Sequence, residues 1–167
     1  MRLARTAQRL FSQTYAEQNR EDDLLDYLAR TFSPQQQSAE LAESGSLIWL
    51  AENHQADPIG YAHLKLGSAP PSPRIDKPAE LARIYADRTW HGKGVGARLL
   101  DTCLDAAVDW GASAIWLGVW KKNPRGIAFY EKNGFRVVGE QTFLLGSDPQ
   151  HDWIMARELD QRTAGSS

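Results

Sequence analysis

A chain of 167 residues, 42% hydrophobic and 24% charged, can bury a core of its own and is short enough to form one domain. Its 19 Lys and Arg against 21 Asp and Glu leave a net charge of -2, which offers no bulk attraction for nucleic acid or an anionic membrane surface. The only cysteine, Cys103, excludes an internal disulfide and a cysteine-based metal cluster.

Helical periodicity opens the chain, with Leu3, Leu10, Phe11 and Tyr15 near one face of residues 3–18. Basic residues at the start are not followed by an apolar core, so no signal peptide is expected. No run approaches the roughly 18 apolar residues of a membrane span. A cytoplasmic location is the default that follows. Leu24, Leu25, Tyr27 and Leu28 predict a second short helix behind the acidic run Glu21-Asp22-Asp23. Ser33-Pro34 starts a third, with serine as N-cap and proline in the first helical position, and Ser44-Gly45-Ser46 ends it.

Residues 47–51 and 59–66 read as two strands joined by the polar, turn-rich stretch 53–58. The proline-dense stretch 67–73 is a loop. A strand is predicted over 80–86. Simple alternation puts Glu80, Ala82, Ile84 and Ala86 on one face and Leu81, Arg83 and Tyr85 on the other. A helix over 94–110 carries the apolar stripe Val95, Leu99, Cys103, Leu104, Ala107 and Val108. A buried strand over 114–120, a helix over 123–133 closed by Gly134, and strands over 135–144 and 152–159 complete a single domain over 1–160. Residues 161–167 read as a disordered tail. Of the six tryptophans, Trp49, Trp110 and Trp116 fit core positions, while Trp90 and Trp120 stand where they could line a site. His54, His63, His91 and His151 show no metal-ligand spacing, so no metal is expected.

The segment with the most chemistry is His91-Gly92-Lys93-Gly94-Val95-Gly96-Ala97, between a predicted strand and an amphipathic helix. Alternating glycines let the main chain turn tightly and present several N–H groups to an anion. The unpaired N–H groups at the start of the following helix favour phosphate there. A purely structural turn rarely needs three glycines in five residues. The P-loop pattern fails because Lys93 is followed by Gly94 rather than serine or threonine. The dinucleotide fingerprint is formally met by Gly92, Gly94 and Ala97. Its ribose-binding carboxylate, due about 20 residues on, is absent from Trp120-Lys121-Lys122.

Residues 80–100 resemble motif A of the GNAT acyltransferases, Gln/Arg-x-x-Gly-x-Gly/Ala, with Gly94 and Gly96 on its glycines. His91 stands at the usual Gln/Arg position. The stretch from Asn123 through Tyr130 to Gly134-Phe135 resembles the family's second block. The resemblance implies an α/β fold with a mixed, mostly antiparallel central sheet flanked by helices. It also implies acetyl-CoA as cosubstrate and transfer of its acetyl group to a small-molecule amine by direct attack in a ternary complex. Ile84, Tyr85 and Ala86 would pair with the pantetheine arm, and His91 to Ala97 would hold the pyrophosphate. Asn123 would hold the cosubstrate from the second helix, with Arg125, Lys121 and Lys122 as candidates for its terminal phosphate. Tyr130 matches the proton donor to the departing thiolate. Glu80 is the first choice of base, with Asp87 and Tyr85 as alternatives.

A weaker resemblance links Phe11-Ser12-Gln13-Thr14-Tyr15, residues 80–85 and the ending 145–155 to bacterial spermidine/spermine N-acetyltransferases of the PaiA type, which points to a polyamine acceptor. The acidic residues Glu17, Glu21, Asp22, Asp23 and Asp26 suit such a cation, though solvent faces also carry such charges. The family's opening strand is expected to be missing or a stub. Two other readings stay open: a non-catalytic acyl-CoA-binding or regulatory module, and acetylation of a protein or peptide amine. Neither nucleic acid nor membrane is an expected partner; a homodimer is left open.

Overall fold

The computed structural model describes residues 2–15 and 28–160. Helix α1 (Arg2–Tyr15) comes first, then α2 (Pro34–Ala42), β1 (Ser46–Glu52), β2 (Pro58–Leu66) and β3 (Pro78–Ala86). After a 3-10 turn at Arg88–Trp90 follow α3 (Val95–Trp110), β4 (Ala114–Trp120), α4 (Pro124–Lys132), β5 (Arg136–Leu145) and β6 (Asp148–Glu158). The second predicted helix (apart from Leu28), the acidic residues Glu17, Glu21, Asp22, Asp23 and Asp26, and the tail 161–167 lie outside the described residues.

Local chemistry sets the element ends. Ser33 caps α2 by accepting the Gln36 N–H at 3.1 Å, with Pro34 at the first helical position. Gly111, at φ 91°, ends α3 by donating to the Ala107 and Val108 carbonyls. Asn53 Oδ1 accepts from the Gln55 and Asp57 N–H groups and closes the β1–β2 turn. Strands β1 and β2 start one residue earlier than the sequence pattern suggests, and β3, at Pro78, and β6, at Asp148, start earlier still. For β6 the reason is a tight hairpin through Gly146, φ 63°, which lets Leu145 face Asp148 at once.

The six strands form one sheet in the order β1-β2-β3-β4-β6-β5, and every neighbouring pair is antiparallel except β3/β4. Helices α3 and α4 cover one face, where Leu99, Leu100 and Cys103 meet Ala62, Leu64, Ile115 and Leu117. Helices α1 and α2 cover the β1–β3 part of the other face, where Leu10, Phe11 and Phe32 pack on Tyr61. Trp116 is buried as expected, but Trp110 is 36% exposed at the end of α3, with the Lys77 ammonium 4.9 Å from its ring centre.

A buried ion pair fixes α2 to β3. Arg83 donates to both Glu40 oxygens, at 2.9 and 3.0 Å, and Glu40 is only 2% exposed. Burial alone would raise the Glu40 carboxyl, yet the Arg83 hydrogen bonds and charge hold it below its ordinary value. Beside it, His63 is fully buried, 2.6 Å from Ser46 Oγ. Burial first, and then the Arg83 charge, bring His63 down to about 4, so it is neutral at pH 7.

Close packing of α3 on β2 depends on Gly60. A Cβ there would lie 2.9 Å from both Leu99 Cδ1 and Val95 Cγ1 and 3.3 Å from Ala51 Cβ. Gly60→Val is expected to destabilise the protein by about 1–3 kcal/mol through overpacking, and Gly60→Ala by less, read from urea unfolding midpoints. Equal midpoints for wild type and valine variant would show that α3 is not held at this distance.

Candidate functional site

The site begins with an irregularity in β3. Arg83 faces His63 and Leu81 faces Leu64, so two residues of β3 are passed for one of β2, and Ala82 is the extra one. Such a bulge re-aims the strand and breaks its alternation. Leu81 therefore packs in the same core as Ile84 and Ala86, whereas Tyr85 joins the opposite cluster. The simple alternation expected from the sequence is corrected at this point. On its other edge β3 pairs with β4 only from Pro78 to Glu80, opposite Ala114 to Trp116. Beyond that the parallel strands part.

A cavity of about 440 Å³ fills the gap. Residues 81–86 of β3 form one wall, Gly118 and Val119 of β4 another, and Phe129 and Tyr130 of α4 line it as well. The cavity continues to Trp90, His91, Gly92 and Gly94 and to the first turn of α3 at Val95, Gly96 and Ala97. Because β4 has peeled away, its ladder with β3 stops at Glu80, and the β3 edge that lines the cavity can pair with an extended ligand.

The glycine turn supplies the second element. Gly92 and Gly94 have φ of 78° and 85°, the left-handed region that side-chain-bearing residues resist, and a Cβ at either would meet nothing within 4 Å. The His91 and Lys93 N–H groups are used locally, on the Arg88 and Trp90 carbonyls. Arg98 is the first residue of α3 with its N–H on a main-chain carbonyl, that of Gly94 at 3.0 Å. Gly94 gives no side-chain cap, so the amides of Val95, Gly96 and Ala97 have no main-chain acceptor among the described residues. They lie at the positive end of a 16-residue helix. Such a helix start is suited to an anion held by main chain.

The turn is anchored from both sides. His91 Nε2 lies 3.0 Å from the Ala86 carbonyl, which ties the turn back to β3. Arg9 of α1 bonds Asp87 and reaches the Pro58 carbonyl at 2.8 Å. Gln13 accepts the Arg88 N–H at 2.9 Å. Partial burial would raise the Asp87 carboxyl, but hydrogen bonds from Arg9 and Thr89 hold it below its ordinary value. Asp87 thus acts as the cap of the 3-10 turn, and it lies outside the cavity lining.

Most site residues expected from the sequence converge here. Ile84, Tyr85, Ala86, His91, Gly92, Gly94, Val95, Gly96, Ala97, Asn123, Arg125 and Tyr130 all line the cavity. Lys93 does not; its ammonium sits 5.1 Å from the centre of the Trp90 ring. Nor does Glu80, whose carboxylate accepts from Ser68 Oγ at 2.6 Å below the point where the strands part. Asn123 Oδ1 accepts the Gly126 N–H at 3.0 Å, so this side chain caps α4. Lys121 pairs with Glu140 at 3.1 Å and lies over Trp153. Of the three cations expected from the sequence, Lys121, Lys122 and Arg125, the cavity is lined by Arg125, with Lys132 and the Glu40-bound Arg83 also in the wall. Trp90 lines the cavity and Trp120 is buried outside it.

Tyr130 packs edge-on against Phe129 and Phe135. Burial, and next the Cys103 thiol nearby, push its phenol well above the ordinary value, so it stays protonated at neutral pH. Burial also pushes the Cys103 thiol up to about 12, in keeping with a packing role. Two wall features were missed from the sequence: the Ala82 bulge, which leaves no pattern in this stretch, and Gly118. A lone glycine in a bulky strand, Ala114-Ile115-Trp116-Leu117-Gly118-Val119-Trp120, was the available signal for a close approach.

Residues 6–135 match the model of the acetyltransferase (GNAT) family. An uncharacterized N-acetyltransferase of Mycobacterium tuberculosis is 40% identical over 110 residues, a match spanning 66% of this chain and 66% of the relative's own length. An uncharacterized N-acetyltransferase of Lactobacillus delbrueckii subsp. lactis is 27% identical over 149 residues, 89% of this chain and 86% of that one. Among solved structures, the PaiA N-acetyltransferase of Thermoplasma acidophilum in complex with coenzyme A superposes with a TM-score of 0.76. It is 26% identical, and the superposition covers 94% of this chain and 91% of that one.

The glycine turn yields a test that needs no ligand. Gly94→Ala is expected to cost about 1–2 kcal/mol from the left-handed backbone. Gly96→Ala, inside the helix and 3.5 Å from Phe129 Cζ, should cost clearly less. Equal urea midpoints for the two variants would refute this account of the turn.

Proposed function

The chain belongs to the GNAT family of acetyltransferases, and on that footing we propose that it transfers an acetyl group from acetyl-CoA to the amine of a small molecule. The observation that carries this reading is the continuity of one cavity. It runs from the helix-start amides of Val95, Gly96 and Ala97, along the β3 edge beyond its ladder with β4, to the Tyr130 phenol.

The site fits the cosubstrate feature by feature. The open φ-positive glycines and the amides of Val95, Gly96 and Ala97 suit a diphosphate. The cavity-facing edge of β3 beyond its ladder with β4 suits the two amides of a pantetheine arm, which would take the place of a strand. Arg125 supplies a cation at the rim. When bound, acetyl-CoA brings an activated acyl group as a thioester. Tyr130 holds a proton for the leaving sulfur, and the apolar surroundings that keep the phenol protonated also exclude water. A main-chain N–H of the bulged β3 segment provides a fixed donor for charge on the carbonyl oxygen.

The narrower reading is a polyamine acceptor. It is supported by the resemblance to PaiA-type enzymes and by the similarity in structure to the Thermoplasma protein. The setting we infer is cytoplasmic, in keeping with a single cysteine and no disulfide; no helix among the described residues is long and apolar enough to cross a membrane.

Release of the CoA thiol, followed across a panel of spermidine, spermine, lysine peptides and aminoglycosides, tests the acceptor. Turnover highest with spermidine or spermine is expected, and preference for the lysine peptides would instead identify a protein-acetylating enzyme. Tyr130→Phe should lower kcat about 100-fold and leave acetyl-CoA affinity within about twofold. Tight acetyl-CoA binding by a wild type that releases no thiol with any amine would leave a binding module in place of an enzyme.

A further inference from the structure

Behind the cavity wall stands a carboxylate that the site described so far does not use. Asp152 of β6 faces Trp120 of β4 and Gln141 of β5, next to the Gly118–Ile154 pair. It is 6% exposed, and its Oδ1 is buried with no hydrogen-bond partner. Gln141 Nε2 reaches its Oδ2 at 3.4 Å. Both side chains lean over Gly118, where a Cβ would lie 2.3 Å from Gln141 Nε2 and 3.0 Å from Asp152 Oδ2. Gly118 itself lines the cavity. The missing side chain at Gly118 is therefore a window in the wall, filled by the Gln141 amide with the Asp152 carboxylate beside it. It opens on the sheet face opposite α3, the face that carries Tyr85 and Arg83.

We propose that Asp152 receives the acceptor: its carboxylate pairs with the incoming primary ammonium through the Gly118 window and removes a proton from it. The proposal rests on the acetyltransferase reading and deepens it. The ammonium enters with three N–H protons, and one passes to Asp152. The freed lone pair forms the C–N bond to the acetyl carbon, and the C–S bond breaks with its electron pair going to sulfur. Tyr130 gives that sulfur its phenolic proton and recovers one from the nitrogen, while the third proton stays on the amide. Asp152 then sheds its proton to solvent.

Energetically the site is prepared for this exchange. Burying a carboxylate without full pairing is costly, and a cation arriving at the carboxylate relieves that cost. Burial raises the Asp152 carboxyl to about 6, against the smaller lowering effects of the Gln141 hydrogen bond and the His151 charge. The other ionisable groups on neighbouring elements are spoken for. From β3, Arg83 is bound to Glu40 and Glu80 to Ser68, and Tyr85 stacks in its aromatic cluster. At the ends of β4 and β5, Lys121 and Glu140 are paired.

The experiment is a kcat/KM pH profile for the full-length protein with spermidine, beside acetyl-CoA affinity from tryptophan fluorescence. Wild type should rise through a limb near pH 6, because the base must be unprotonated, and level off above about pH 7. Asp152→Asn should lose the limb and about 100-fold in kcat/KM with acetyl-CoA affinity within twofold. Asp152→Glu should recover a limb. Gln141→Leu removes the donor that favours the carboxylate and should move the limb to higher pH, a readout that survives if the asparagine variant does not fold. An Asp152→Asn enzyme that keeps the limb, or a Glu80→Gln enzyme that loses it, overturns the assignment. Thiol release from wild type with no amine at any pH is a separate result, which overturns the acetyltransferase reading itself.

Discussion

The geometry of the site depends on where the β3–β4 pairing stops. Parallel strands flanked by helices on both faces ordinarily continue their ladder, because each buried N–H or carbonyl left unpaired costs free energy. Here the ladder ends at Glu80 and Trp116, and the bulge at Ala82 turns the rest of β3 aside. The main-chain groups so released are the ones that a ligand with amide groups can satisfy. A defect in the sheet therefore becomes its binding edge, and the cost of the defect falls when the ligand pairs with it.

Everything nearby keeps that edge in register with the helix that follows. Gly60 lets α3 approach β2 closely, so the start of α3 stands beside the end of β3. Arg9 and Gln13 of α1 clamp the connecting turn from the opposite side of the sheet, and His91 clamps it from within. On the lower face the Glu40–Arg83 pair joins α2 to the bulged segment. Breaking one partner of such a buried pair would leave the other charged and unpaired, a cost of about 3–5 kcal/mol. The bulge is thus held at three points, which suits a site whose function depends on fixed donors rather than on adjustment.

The sequence was most readable where chemistry is local. The helix-start amides could be foreseen because Gly92, Gly94 and Gly96 sit between an apolar strand and an amphipathic helix. Tyr130 was found by its spacing from Asn123 within a recognisable block. Glu80 fared differently. Alternation counted from the start of the strand cannot see an inserted residue, so it put Glu80 on the face of Ile84, whereas the bulge separates them. Asp152 was invisible for another reason. Its significance comes from Gly118 on a neighbouring strand, and β6 lies next to β4 only because the chain passes through β5 first. Pairings between distant segments leave no local trace.

The parting of β3 from β4 also divides the sheet along the chain. Strands β1, β2 and β3 form a meander from a continuous stretch, as β4, β5 and β6 derive from the later one, and the short parallel joint, the helices and the 67–77 loop connect the two leaves. The β1–β2, β2–β3 and β5–β6 hairpins close small loops, while the joint, which brings Pro78 to Ala114 across the whole of α3, closes a long one, as does the β4–β6 pairing within the second leaf. Loop-closure entropy and topology place such a contact late in folding. The cleft is then the seam between the two leaves of the sheet, and it exists only where they meet.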